Sequence, residues 1–204
     1  MYVTGRSAPS YTLKEQVMKA HVDATTLPDP ARADGGLVFL STWSTGTQER
    51  QRATVDAIAE AWGSRPWPHE GLLSYTVYAG ADGSTVAHRS HWRDDEAYQD
   101  FFAHGRDERN AEIDEAVPGI ERLGLHKTRL RDGVARAAGD DRVAGAIVIT
   151  EGEAEVPEAA PGLISVHFHA TTDGERVISY AEWESGEGLP VEGRYHLAYA
   201  IEPR

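Results

Sequence analysis

The sequence predicts an α+β protein built on a duplicated β-hairpin unit. Three observations carry that reading. Elements run β-α-β-β-α-β over residues 37–131, strands without helices fill residues 142–204, and one hairpin pattern recurs in both stretches.

Residues 1–36 form an arm of mixed character. Leu13 and Val17 lie four apart, so Thr12–Val22 is expected to be a short helix. Leu27–Asp34, with Pro28 and Pro30, reads as an extended linker. Leu37–Ser44 is apolar and β-branched, as a strand requires. Thr45 and Gln48 have capping-box spacing, and the helix they open reaches about Trp62, with Val55, Ile58 and Trp62 on its buried side. Gly63, Pro66 and Pro68 stop it. Leu72–Ala79 and Thr85–Trp92 form a hairpin around Asp82-Gly83, a turn expected to need positive φ at both positions. Asp94 and Asp95 suit the positive end of a helix dipole and open a second helix. It carries Tyr98, Phe101 and Phe102, breaks near Gly105 and ends at Pro118-Gly119. Gly124–Leu130 is the fourth strand. This is the ferredoxin-like split βαβ order.

Arg131–Asp141 reads as a charged linker rich in Gly and Ala. Beyond it, Ala144–Thr150, Gly162–Ala170, Glu175–Trp183 and Tyr195–Ile201 read as strands. Gly71, Leu72, Ser74, Ala79, Asp82, Gly83, Val86 and Trp92 recur as Gly162, Leu163, Ser165, Ala170, Asp173, Gly174, Val177 and Trp183, each pair displaced by 91 positions. A Gly-Leu start, an Asp-Gly turn and a Trp end in one register point to duplication. The second unit has no room for either helix. About a dozen residues separate its first two strands, and Glu184–Arg194 is a loop.

The chain of 204 residues has a formal net charge of −13 and no cysteine. That charge repels a phosphate backbone and an anionic bilayer, so neither nucleic acid nor membrane is expected as a partner. The missing cysteine excludes disulfides, thiolate metal ligands and thiol nucleophiles. No apolar run reaches bilayer length and Met1–Ser10 has no signal-peptide core, so a cytoplasmic protein is expected. There is no GxGxxG after a strand, no P-loop and no Ser-nucleophile elbow. His167 and His169 share one strand face and His196 is a possible third, but no carboxylate has supporting spacing, and no metal site is assigned. Asp107, Glu108, Arg109 and Glu112 read as a solvated helix face.

The turn sets the faces of the first hairpin. Val77 faces His88, Tyr75 faces Ser90 and Leu73 faces Trp92 on one side, whereas Tyr78, Thr76, Ser74, Ala87, Arg89 and His91 share the other. In the repeat, the first side becomes Ile164, Val166, Phe168, Ser179, Ala181 and Trp183, a core face. Tyr75 and His88 are therefore polar groups on a core-type face, as a ligand pocket needs. Buried residues that simply find partners would give the same pattern. Trp92 and Trp183 suit packing anchors, and only Trp92 has helices nearby to roof a pocket.

Residues 36–131 resemble the antibiotic-biosynthesis-monooxygenase family of dimeric α+β barrels. The likeness rests on the element order and on a third strand ending His91-Trp92-Arg93-Asp94 before an acidic helix start. Tyr180-Ala181-Glu182-Trp183-Glu184-Ser185 is closer still to the family's strand-end pattern. Members pair sheet against sheet. The resemblance thus implies one chain holding both sheets, a ferredoxin-like unit fused to a helix-poor antiparallel β unit as a pseudo-dimer. Such a chain is a monomer, or a homodimer through other surfaces. The resemblance also implies a pocket between sheet and helices. The family includes cofactor-free oxygenases of phenolic polyketide intermediates such as anthrones. Its haem-degrading members rely on an asparagine near the first strand, whereas the asparagine of this chain is Asn110. The family often places a histidine soon after the strand-end Trp; here the nearest is His104, and Phe101 stands near the usual position.

The expected function is a cofactor-independent monooxygenase of antibiotic-biosynthesis type. It would oxidise a small aromatic polyketide-type phenol or anthrone with O₂, using no cofactor and no metal. His88 is the expected general base, because an imidazole pKa lies near working pH. Tyr75 and Ser90 would hydrogen-bond the substrate oxygens, and Trp92, Phe101 and Phe102 would stack on its rings. Trp43 and His104 complete the expected binding set. A non-catalytic ligand-binding or assembly protein of this fold is the alternative, as is a cyclase or isomerase using the same pocket.

Overall fold

The computed structural model describes residues 18–134, 136–152 and 160–204. The part of the expected first helix before residue 18 lies outside them. Where it was expected to continue, Ala20–Asp23 is instead a strand, β1, antiparallel to the last strand of the chain. An isolated short helix gains too few hydrogen bonds to offset nucleation, and the distant strand edge satisfies the same backbone groups. Then follow β2 (Leu37–Ser44), α1 (Gln48–Gly63), β3 (Leu72–Gly80), β4 (Thr85–Trp92), α2 (Asp95–His104), α3 (Arg106–Ala116) and β5 (Glu121–Val134). The rest of the described chain is β6 (Ala146–Glu151), β7 (Leu163–Thr171), β8 (Val177–Trp183) and β9 (Arg194–Pro203).

Local chemistry sets several boundaries. Asp94 caps α2, its carboxylate accepting from the Ala97 N–H at 2.9 Å, a contact worth about 1 kcal/mol. The cap of α1 is Thr47, whose hydroxyl accepts from the Arg50 N–H. Thr45, expected in that role, donates from its N–H and hydroxyl to the Ser84 carbonyl and ties α1 to the hairpin turn. In the turn only Gly83 has positive φ (71°). Asp82 stays in ordinary backbone space because its carboxylate accepts from the Ser84 and Thr85 N–H groups. The hairpin pairs Val77 with His88 and Tyr75 with Ser90; Trp92 pairs with Leu72, and the ladder slips at Leu73.

The strands form one sheet, β1-β9-β3-β4-β2-β5-β7-β8-β6, in which β6 also pairs with β9. Strands β2–β9 therefore close into a ring, with β1 added to β9. β5 runs past Leu130 to Val134 because it hands over from β2 to β7 at Thr128, so Arg131–Val134 is strand and not linker. The two halves repeat each other pair for pair. Leu72–Trp92 and Ser74–His91 in the first hairpin become Leu163–Trp183 and Ser165–Glu182 in the second, with the same register shift between. Val38–Thr128 and Phe39–Lys127 become Ile147–Tyr195 and Val148–Arg194. Thr171–Thr128 and Val166–Val134 become Gly80–Tyr195 and Tyr75–Ile201.

The ring separates two environments. Tyr78 on β3 reaches across to Tyr180 on β8, hydroxyl to hydroxyl at 3.1 Å, and Arg89 lies 5.5 Å from the same ring. These strands are not neighbours, so Tyr78, Arg89 and Tyr180 point inward. The expected linker reaches this interior: Pro28 and Pro30 are buried, and the Pro30 carbonyl accepts from Arg89. The outer face of β2–β4 carries the larger apolar core, packed under the helices through Ile58, Trp62, Phe101 and Ile113. Among the described residues no helix is long and apolar enough to cross a membrane.

Candidate active site

Strand alternation brings the outward side chains of β2, β3 and β4 to one wall. β2 supplies Phe39 and Trp43, β3 supplies Tyr75, and β4 supplies His88, Ser90 and Trp92. Trp62 of α1 and Tyr98 and Phe101 of α2 pack on them and complete the lining of a cavity of about 250 Å³. The chain breaks at Gly105, and α3 then adds Arg106, Arg109, Asn110 and Ile113. Their i, i+3, i+4, i+7 spacing sets them on one helix face. β5 closes the side with Arg122, Gly124 and Leu125.

At the floor, the Tyr75 hydroxyl and His88 Nδ1 are 2.7 Å apart. His88 is 3% exposed, and its Nε2 is buried without a hydrogen-bond partner among the described residues. Burial, aided by the Arg122 charge, pushes its pKa down to about 3, so the imidazole is neutral at working pH. The expectation of an ordinary histidine pKa is thereby corrected. Burial likewise raises the Tyr75 pKa, so the phenol keeps its proton. It donates to Nδ1 or, in the other tautomer, accepts from Nδ1–H, which leaves Nε2 as an acceptor. Trp43 packs on the imidazole, ring centroids 4.2 Å apart, and Trp62 stacks on Tyr75 at 4.1 Å. Trp92 donates from Nε1 to the Ser90 hydroxyl at 3.0 Å, which orients both.

The cavity thus gathers Trp43, Tyr75, His88, Ser90, Trp92 and Phe101 from the residues singled out in sequence. Two others stand apart. Phe102 is 46% exposed under the Arg106 guanidinium, and His104 is exposed with its ring against the Asp100 carbonyl. Helical geometry turns Phe102 away from the wall that Phe101 faces, and His104 is the last residue of α2, beyond that wall. Arg109, read as solvated, is 6% exposed and donates to the Gly105 and Pro66 carbonyls beneath the Trp62 ring. Arg122 lies over Trp43 and is held by both oxygens of Asp114. The spacing of Arg106, Arg109, Asn110 and Ile113 was visible in the sequence. Its polarity disguised it, since three of the four residues are not apolar.

No family model and no curated protein sequence matches the chain. Solved structures do. The chain is similar to an anthrone oxidase-like protein. The TM-score is 0.56 at 16% identity, over 84% of this chain and 94% of the other. A provisionally named monooxygenase from Lactobacillus acidophilus follows at TM-score 0.50 and 11% identity, over 80% and 94% of the two chains. Another from Fusobacterium nucleatum has TM-score 0.48 and 11% identity, over 85% and 96%. These likenesses are of fold. Among the described residues no group of three or more His, Asp or Glu is placed to hold a metal, and His167, His169 and His196 do not form one.

Proposed function

We propose that the chain is a single-chain monooxygenase that oxidises an electron-rich phenol or anthrone with O₂ in the cavity under α1–α3. The observation that carries the reading is the Tyr75–His88 pair, buried and hydrogen-bonded on an otherwise aromatic wall, with one imidazole nitrogen unpaired. The fold likeness to an anthrone oxidase-like protein supports the reaction class. The repeated strand pairings support reading residues 142–204 as the helix-poor half of a pseudo-dimer.

We read the reaction as cofactor-independent, because an anthrone carries its own reducing equivalents. Substrate facing Nε2 favours the tautomer in which Nδ1–H donates to Tyr75. The Tyr75 hydroxyl is then free to donate to a substrate oxygen. Nε2 takes the acidic ring proton and leaves an enolate. Burial opposes a lone imidazolium, but an enolate beside it forms an ion pair and offsets that penalty. The enolate passes one electron to O₂. The radical pair combines as a peroxide anion, which takes the proton back from His88 and becomes a hydroperoxide. Loss of water then gives the ketone, so anthrone and O₂ yield anthraquinone and water.

His88→Gln should lower oxygen uptake on anthrones by about 10²–10⁴-fold while leaving the melting curve in place, since a positioned base contributes on that order. Wild-type rates in this variant would remove His88 from the mechanism and the reading with it.

A further inference from the structure

We propose that the substrate is a flat aromatic acid whose carboxylate is held by Arg106 while its rings fill the aromatic cavity. The inference takes its reaction from the oxygenase reading above, but it stands on binding chemistry of its own.

Among the described residues three guanidinium groups line the cavity, Arg106, Arg109 and Arg122, and no carboxylate does. In a chain of net charge −13 this is a local inversion of sign. Two of the three are committed elsewhere: Arg109 to backbone carbonyls and Arg122 to Asp114. Arg106 has no hydrogen bond or ion pair to any described residue. Its guanidinium lies 4.9 Å from the Phe102 ring centroid. Stacking on an aromatic face fixes the plane of a guanidinium and leaves its N–H edge free, and that fork fits a carboxylate with two parallel hydrogen bonds. Asn110, one turn further along α3, also lines the cavity and brings an amide donor to the same wall.

Charge and chemistry sit at opposite depths. Arg106 is half-buried, whereas His88 is 3% exposed. The acid group therefore anchors near the surface while the ring to be oxidised reaches Tyr75 and His88. Burial raises the pKa of Tyr98 and of Tyr75, and the Arg106 charge beside the first and the Arg122 charge beside the second oppose that rise. Arg106 thus stands where a carboxylate would anchor, and Arg122 is the charge that favours an anion at the reacting centre.

The test uses dihydroxyanthraquinone, its ring-carboxylated derivative and the carboxamide of that acid as ligands. Binding is followed by fluorescence, since Trp43, Trp62 and Trp92 all line the cavity. The acid should bind about tenfold more tightly than the amide, a charge-assisted bond exceeding a neutral one by that order. The preference should shrink as salt rises. Arg106→Gln should abolish it and Arg106→Lys should keep part of it. Arg52→Gln, at an exposed position on α1, should leave it intact. An acid that binds no better than its amide, or a preference that survives Arg106→Gln, overturns the inference. Should Arg106→Gln misfold, the wild-type comparison of acid, amide and salt decides alone. Oxygen uptake on the matching anthrones separates the two claims. Tight binding of the acid without uptake sinks the oxygenase reading and leaves this inference standing. Uptake with equal affinity for acid and amide does the reverse.

Discussion

Four histidines are buried, and burial pushes each below its ordinary pKa: His88, His91 and His169 to about 3 and His167 to about 4. For the three inside the ring, the Arg89 charge adds to that shift. An unfolded histidine titrates near 6.5, so the unfolded chain takes up protons below that pH while the folded chain does not. Their stabilising contribution is complete above about pH 6.5 and is lost as pH falls toward the folded values. Carboxylates held low, such as Asp140 at about 2, act only below about pH 4 and so leave the range from pH 7.5 to pH 5 to the histidines. The urea midpoint should therefore fall between pH 7.5 and pH 5. His169→Leu should flatten that fall without destabilising the protein at pH 7.5, because neither ring nitrogen of His169 has a partner among the described residues. A midpoint that does not move between those pH values contradicts the assignment. At this scale, Tyr75 and His88 were legible because the repeat showed an apolar residue or serine where they stand. Arg109 was not, because a charged residue beside Asp107 and Glu108 looks solvated until the Trp62 ring and two carbonyls are seen around it.

The duplication is sharpest in two glycines. The Gly36 N–H donates to the Trp92 carbonyl, and the Gly145 N–H donates to the Trp183 carbonyl, both at 2.9 Å. A Cβ on Gly36 would lie 2.4 Å from the Arg93 carbonyl oxygen, and one on Gly145 would lie 2.4 Å from that of Glu184. Backbone cannot give way as a side-chain tip does, so Gly36→Ala and Gly145→Ala should each cost about 1–3 kcal/mol. Thermal melts should show similar losses for the two, and a large loss at one site with none at the other would break the equivalence of the halves. The hairpins were readable in sequence because turn residues and alternation are local signals. β1 was not, since the strand edge that captures Ala20–Asp23 lies at the other end of the chain. The run of β5 beyond Leu130 was hidden for the same reason: its partner there is β7 and not its sequence neighbours.

At the scale of the molecule, closure of the ring through β6 and β9 leaves the barrel needing no second chain. Light scattering at low concentration should give the mass of one chain, or of a dimer formed by surfaces outside the barrel, and a dimer joined through β2–β5 would contradict that closure. Among the described residues the helices pack on β2–β4 and on β9 through Tyr199, and the roofed cavity lies on that side. The central claim, that oxygen chemistry takes place in that cavity, is tested most directly with an anthrone under labelled O₂. The account predicts one O₂ consumed per anthrone, one labelled oxygen in the quinone and the other in water, with the rate collapsing in His88→Gln. Ligand binding in the cavity with no oxygen uptake above buffer, or a quinone oxygen drawn from solvent, would contradict it.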